Sequence, residues 1–239
     1  MWVAIKGGTP STNHGHMDVG AFAVDAEGVR WADDLGMQDY HSLESKGVQP
    51  FLGVRQWDAP RWSVFRFHAR SHSVLTVDGA GQGLRGSAPI THHSPGRTVV
   101  DMGATYAGQL GGARRGVALV GGCVVVRDEV VAPAERGAGV RWAMLTRAEV
   151  AVGAAGGVAR LTRGGKAMAL RVLCPAGACL QTFSTQPPQD FDAENPGTVL
   201  VGFCVALAPG EAAALVVALV PGGGEAPQGI PRTLDAWGE

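Results

Sequence analysis

Apolar and polar residues alternate along most of this chain, and residues typical of tight turns separate the alternating runs. A period of two is typical of strands that bury one face. Four pairs of runs are predicted to form hairpins: 21–25 with 29–32, 116–120 with 123–127, 160–163 with 166–172, and 199–207 with 212–220. Two of the turns are Gly-Gly pairs, which supply the positive φ that a two-residue turn needs. Because almost no helical spacing separates these runs, the sequence predicts an all-β fold, an antiparallel β-sandwich.

Two segments interrupt the alternation, and both are predicted to be long loops. Residues 37–60 are polar and irregular, and residues 80–95 are rich in Gly, Ser, His and Pro. Long loops on a rigid sheet are where binding sites tend to lie. The sandwich is predicted to span residues 1–220, and the Gly/Pro-rich tail, 221–239, is expected to be loosely held.

Composition excludes several classes of function. The net charge of −1 provides no basic field that would attract nucleic acid, so no nucleic-acid partner is expected. The longest apolar run, 212–220, is about half of what a membrane span requires. No basic segment precedes an apolar one at the N-terminus, so the sequence predicts no signal peptide and leaves a periplasmic or a cytoplasmic location open.

The four cysteines lie in apolar, strand-like settings and show no CxxC spacing. They are therefore predicted to be small core residues, although Cys174 and Cys179 could pair across a turn.

Histidines and carboxylates recur in short polar motifs. The first motif, 13–18, carries His14 and His16, the second carries Asp33 and Asp34, and the third carries His72. Two imidazoles and a carboxylate, brought together by a sheet, can bind a divalent metal such as zinc. The alternative is that the histidines only form hydrogen bonds inside a half-buried sheet.

Tyr40 is one of only two tyrosines, and it lies in the polar loop of residues 37–60. A phenol beside a metal or a cation can act as an acid or a base; the alternative is an aromatic anchor for the loop. Arg61, Arg66 and Arg70 follow this loop and could hold a carboxylate or sulfate. They could instead form the solvated face of a strand.

Taken in order, the motifs resemble those of one known family. They are Asn-His-Gly-His-Met-Asp-Val-Gly at 13–20, Val-Arg-Trp-Ala-Asp-Asp-Leu-Gly at 29–36, Asp-Tyr at 39–40, and Ser-His-Ser-Val-Leu-Thr-Val-Asp-Gly at 71–79. From about Lys6 to Val220 the chain closely resembles the C-terminal domain of heparinase II/III-like polysaccharide lyases. The resemblance implies an antiparallel β-sandwich that follows an α/α-toroid, and β-elimination at a uronic acid of an acidic polysaccharide.

The resemblance also implies a zinc site. By similarity its ligands are His16, His72 and one aspartate of the pair Asp33 and Asp34, with Asp34 preferred because it leads the Asp-Leu-Gly pattern. The zinc is expected to be mainly structural and to shape the wall of the cleft.

Further site residues are also implied by similarity. His14 resembles an active-site histidine that faces the substrate, and Tyr40 a loop tyrosine with an acid/base role. Asn13 is expected to help hold the substrate carboxylate. Arg66 and Arg70 are expected to be further substrate-binding residues because of their charge, and not because of the resemblance.

The family's cleft lies between a toroid and the sandwich, and this chain contains no toroid. We therefore expect an acidic polysaccharide and a toroid domain, from the same gene or from a separate chain, as partners. The alternative function is a zinc-stabilised sandwich that binds carbohydrate or another protein without catalysis.

Overall fold

Strands account for most of the regular structure in the computed structural model, which describes residues 1–237. The strands are β1 (Trp2–Ile5), β2 (Phe22–Ala26), β3 (Val29–Ala32), β4 (Leu75–Val77), β5 (Ile90–Ser94), β6 (Arg97–Asp101), β7 (Gly112–Val120), β8 (Cys123–Val131), β9 (Ala138–Thr146), β10 (Glu149–Val152), β11 (Val158–Arg163), β12 (Lys166–Cys174), β13 (Gln181–Phe183), β14 (Val199–Leu207) and β15 (Ala212–Pro221). One short helix, α1 (Tyr40–Glu44), precedes 3-10 turns at Pro60–Ser63, Phe65–Phe67 and Ala69–Ser71, and a fourth such turn, Asp235–Trp237, ends the described chain. No helix within this range is long and apolar enough to cross a membrane.

The strands form three antiparallel sheets, which confirms the predicted all-β antiparallel β-sandwich. The largest sheet has the order β10-β11-β12-β15-β8-β7-β6-β5, the second β13-β14-β9-β4, and the smallest β1-β2-β3. One apolar cluster contains buried side chains from all three sheets, among them Val24, Val126 and Trp142. Burial of such side chains is the main source of stability in a fold of this kind.

Three of the four predicted hairpins are confirmed. β2 pairs with β3, β7 with β8, and β11 with β12. Each turn contains two residues with positive φ: Glu27 and Gly28, Gly121 and Gly122, and Gly164 and Gly165. This backbone conformation matches the right-handed twist of the flanking strands.

The fourth predicted hairpin is wrong. β14 and β15 have nearly the predicted bounds, but β14 pairs with β9, whereas β15 lies between β8 and β12. The connection between them is held at the end of β8, because Ala132 N–H donates to Glu211 O and Gly210 N–H donates to Pro133 O, both at 2.8 Å. The chain therefore crosses from one sheet to the other at this point.

The segments expected to be loops contain more order than predicted. Residues 37–60 include α1, and residues 80–95 include β5, so the paired histidines His92 and His93 lie on a strand instead of a loop. In the tail, Leu234 and Trp237 are buried against the largest sheet, which differs from the expected loose attachment. Residues 238–239 of that tail lie outside the described residues, and the division at residue 220 stays a prediction.

The cysteines only partly match their predicted role. Cys123 is buried, as expected, and Cys174 is half-buried. The core assignment is wrong for Cys179 and Cys204, which are exposed. Cys204 lies at an outward-facing position of β14, where an apolar neighbourhood in sequence does not imply burial. All four thiols are free.

A buried ion pair joins the largest sheet to the loops at one end of the sandwich. Arg115 on β7 donates two hydrogen bonds to Asp128 on β8, at 2.7 and 3.0 Å, and neither side chain is exposed to solvent. The same guanidinium donates to the carbonyl oxygens of Gly20 and Ser73, at 2.8 and 2.9 Å. One side chain therefore anchors the segments that follow His16 and His72.

Removing this arginine is expected to destabilise the protein strongly. Arg115→Met leaves the Asp128 carboxylate buried without its cation, which costs on the order of 3–5 kcal/mol of unfolding free energy. The control is Arg30→Met, since Arg30 pairs with Asp25 and the two side chains are 42% and 39% exposed. Solvent-exposed pairs contribute about 0–1 kcal/mol. Urea denaturation measures both; equal losses would contradict the anchoring role.

Candidate active site

A tight turn at residues 12–16 points the two histidines of the first motif in different directions. Gly15 N–H donates to Thr12 O at 2.8 Å, and His14 adopts a φ of 60°. A Cβ at position 15 would lie 2.4 Å from Pro10 O, so only glycine fits there. His14 is exposed, whereas His16 is only 8% exposed.

His14 forms a pair with Tyr40 at the surface. His14 Nδ1 and the Tyr40 hydroxyl are 2.9 Å apart, and both rings contact Phe51. Tyr40 begins α1, and Asp39 caps this helix by accepting a hydrogen bond from Ser42 N–H at 2.9 Å. A phenol and an imidazole at this distance can share and transfer a proton.

His16 lies inside, beside His72 and Asp34. The ring centres of His16 and His72 are 5.4 Å apart, and His16 also packs against Phe67 at 4.6 Å. His72 is fully buried, and its Nδ1 donates to Asp34 Oδ2 at 2.7 Å. Asp33 points elsewhere and pairs with Arg147, so Asp34 is the aspartate that contacts His72.

Burial and charge separate the pKa values of these three groups. Burial, with repulsion from His72 and Arg61, lowers the pKa of His16 to about 3, so this imidazole is neutral at pH 7. Burial also opposes the charged forms of Asp34 and His72, but their mutual attraction and hydrogen bond lower the pKa of Asp34 and raise that of His72.

Arg61 lies beneath the surface and binds the backbone of the turn at residues 12–16. Its side chain is 1% exposed and donates to Gly15 O twice, at 3.0 and 2.7 Å, and to Pro50 O at 3.2 Å. The guanidinium lies 4.4 Å from the centre of the Phe67 ring, within cation–π range. Arg61 therefore holds the histidine turn and the start of the Phe51 loop together, a positioning role that the sequence pattern did not indicate.

The other two arginines of this segment have different environments, and the strand alternative is wrong for all three because they lie on 3-10 turns. Arg66 is tied to the protein by hydrogen bonds to Asn195 Oδ1, Met37 O and Glu194 O. The Arg70 side chain is exposed. Substrate binding by Arg66 and Arg70 stays a prediction, and the bonds of Arg66 leave it less free for that role.

The donor set has the chemistry that zinc prefers, but the side chains are not arranged as a metal site. His72 Nε2 is buried and has no hydrogen-bond partner within residues 1–237, and His16 is a neutral imidazole beside it. Asp34, however, is bonded to His72 itself. Across the described part of the chain, no three His, Cys, Asp or Glu side chains form a cluster arranged to hold a metal ion.

Comparisons with known proteins agree on the fold. The family model described as "Heparinase II/III-like, C-terminal" matches residues 1–195. A heparinase III, the BT4657 gene product, superposes with a TM-score of 0.63 at 16% identity, over 92% of this chain and 32% of its own. The heparan sulfate lyase HepC from Pedobacter heparinus gives a TM-score of 0.63 at 15% identity, over 95% of this chain and 34% of its own.

The chain thus spans about a third of the length of these two structures. At such low identities the likeness shows the fold alone. No curated protein matches the chain significantly.

Acidification is expected to lower the unfolding free energy through protonation of His68, a residue next to the site. Its Nδ1 accepts a hydrogen bond from Arg70 N–H at 3.2 Å, and burial lowers its pKa to about 4. In the unfolded chain the pKa of a histidine is near 6.5. The stability that the neutral His68 ring contributes is therefore fully present above pH 6.5 and is lost as the pH falls toward 4. His68→Asn should therefore reduce the loss of unfolding free energy between pH 7 and 4.5 by about 1–3 kcal/mol.

The measurement is urea denaturation across this pH range, with His41→Asn as the control because His41 is an exposed residue of α1. If the unfolding free energy has the same pH dependence in the wild type and in His68→Asn, protonation of His68 does not contribute to the acid destabilisation.

Proposed function

The chain belongs to the heparinase II/III-like C-terminal domain family, and from this premise we propose that it forms one wall of the active-site cleft of a polysaccharide lyase. The substrate would be a polysaccharide that contains uronic acid, of the glycosaminoglycan or alginate type. The observation that carries the proposal is the hydrogen-bonded pair of His14 and Tyr40 at the surface of the sandwich.

β-Elimination at a uronate requires three things of the protein. A base removes the proton at C5, the electron pair forms the C4–C5 double bond, and the C4–O bond breaks as the leaving oxygen receives a proton. The C5 proton becomes acidic only when the adjacent carboxylate is neutralised, since negative charge develops on it in the transition state. A hydrogen-bond donor at the carboxylate and a proton-transfer pair near C5 and O4 would meet these needs.

The turn at residues 12–16 offers such groups side by side. Asn13 is exposed next to His14, and its amide would donate to the substrate carboxylate. The His14–Tyr40 pair would accept the proton from C5 and donate a proton to the leaving oxygen, and the hydrogen bond between the two side chains keeps the rings oriented for this step. Arg61 would act as a positioning residue, because it holds Gly15 O and does not reach the surface.

We propose zinc as a structural ion held by His16, His72 and Asp34. The support is the buried Nε2 of His72, which has no hydrogen-bond partner among residues 1–237, beside a neutral His16. Binding would require Asp34 to share its carboxylate between the ion and His72. The ion would stabilise the loops that carry the site by linking their side chains.

An α/α-toroid domain, as part of a larger enzyme or as a separate chain, is the proposed partner that would form the opposite wall of the cleft. The loop beside His14 exposes apolar side chains that such a partner would cover, with Phe51 45% and Leu52 67% exposed. Without that wall, substrate would be bound on one side only, and binding without turnover is the outcome expected of the isolated chain.

The catalytic assignment predicts a large effect of one hydroxyl. When the chain is fused to a toroid domain from a family member, Tyr40→Phe should lower kcat on a uronate polymer by about 10²–10⁴-fold, because proton transfer is lost. The assay follows the short-wavelength ultraviolet absorbance of the C4–C5 double bond that is conjugated with the carboxylate in the product. Tyr106→Phe is the matched control, since Tyr106 is buried and its hydroxyl donates to Leu75 O.

Tyr106→Phe should lower the melting temperature and leave kcat nearly unchanged. Equal activity of wild type and Tyr40→Phe would remove Tyr40 from the mechanism. Absence of unsaturated product from the fusion on every uronate polymer would leave the non-catalytic alternative.

The zinc assignment predicts a difference between neighbouring histidines. His16→Ala and His72→Ala should lower both the zinc content, measured by elemental analysis after reconstitution, and the rise in melting temperature on zinc addition. His14→Ala should keep both, because His14 points away from the buried pair. Equal zinc loss in all three variants would contradict the assignment.

A further inference from the structure

Two arginines line a polar cavity next to the His14 turn. This cavity has a volume of about 610 Å³, and its lining includes Asn13, Arg55 and Arg85. A second cavity of about 400 Å³ shares Arg55 and Arg85 with the first and adds Trp57. Because the two cavities share these arginines, we treat them as one surface, which we call the arginine groove, with Asn13 in the lining of the first cavity and Trp57 in that of the second.

We propose that the arginine groove is a binding subsite for an anionic saccharide unit, one that carries a carboxylate or a sulfate. The inference rests on the proposed function, because it places this unit on the same polymer whose uronate would lie at His14. The volume falls within the range of sites that bury small ligands.

The charges of the groove are available to a ligand. Within residues 1–237, neither the Arg55 nor the Arg85 guanidinium has an ion-pair or hydrogen-bond partner, and both residues are exposed. Other arginines near the site differ: Arg61 and Arg66 are each tied to protein oxygens. A planar guanidinium binds carboxylate or sulfate oxygens in pairs, and two of them on one groove favour an anion over a neutral sugar.

Arg85 is presented by a rigid segment. Leu84 on one side of it is 2% exposed, and Gly86 on the other packs so closely that a Cβ would lie 2.2 Å from Ala104 O. The preceding Gly83 is fixed by its N–H, which donates to Thr105 O at 2.7 Å. Because the backbone is held on both sides, binding has to order only the Arg85 side chain and not the segment that carries it.

Arg55 and Trp57 are presented by a separate turn, at residues 53–57. Gln56 N–H donates to Gly53 O at 2.7 Å, and the Trp62 indole holds the Val54 carbonyl at 3.1 Å. Trp57 is 55% exposed, which leaves its indole face open. An indole face packs well against the C–H face of a pyranose ring, so this residue complements the two cations.

The test measures binding by the whole chain with calorimetry. The probes are a heparan sulfate tetrasaccharide, an unsulfated glucuronate-containing tetrasaccharide, inorganic sulfate, and neutral cellotetraose. Arg55→Gln and Arg85→Gln should each weaken binding of the charged tetrasaccharides by about tenfold, and Trp57→Ala by about fivefold. The matched control is Arg160→Gln, since Arg160 is an exposed arginine on β11 outside the groove; it should change the affinity less than twofold.

Tighter binding of the sulfated probe would identify sulfate as the recognised group, and equal binding of both would identify the carboxylate. The proposal is overturned if the charged tetrasaccharides do not bind, if cellotetraose binds as tightly, or if Arg160→Gln weakens binding as much as the groove variants. If the toroid fusion cleaves a uronate polymer and the groove variants bind the tetrasaccharides as tightly as the wild type, the groove is not a subsite and the lyase function stands. Binding that depends on the groove, without cleavage of any polymer, would refute the lyase function and leave the groove intact.

Discussion

The position of the candidate site depends on the buried guanidinium of Arg115. It is neutralised by Asp128 within the largest sheet, and its remaining N–H groups hold the Gly20 and Ser73 carbonyls. These carbonyls belong to the two loops that bring the distant histidines together. A buried cation needs oxygen acceptors at fixed positions around it. Because Arg115 is held by the rigid sheet, it fixes the positions of the two loop carbonyls that it binds.

The histidine turn divides two chemical tasks between neighbouring residues. The left-handed conformation at His14 and the absence of a side chain at Gly15 send one imidazole to solvent and the other into the protein. The outer imidazole meets a phenol, a pair suited to proton transfer, while the inner one is kept neutral by burial. The arginine groove begins next to this turn, at Asn13, so a polymer bound at the turn would continue toward two further cations.

Local sequence patterns predicted the hairpins because two residues with positive φ determine both the turn and the register. They failed for β14 and β15, since alternation reveals that a strand has a buried face but not which sheet it joins. The family resemblance grouped His16 with His72 and favoured Asp34 over Asp33, and in the structure His72 lies beside His16 and bonds to Asp34. The resemblance did not indicate that Arg61 is buried or that Arg66 is held by Asn195, because both depend on contacts between segments that are distant in sequence.

The most direct test of the central claim is whether a uronate lies against the His14–Tyr40 pair. Nuclear Overhauser measurements on the chain with a bound glucuronate oligosaccharide answer this, and the tyrosine signals are simple to assign because Tyr106 is the only other tyrosine and is buried. The account predicts contacts from the H5 proton of one uronate to the rings of Tyr40 and His14. Contacts confined to other surfaces, such as β5 with His92, would contradict it.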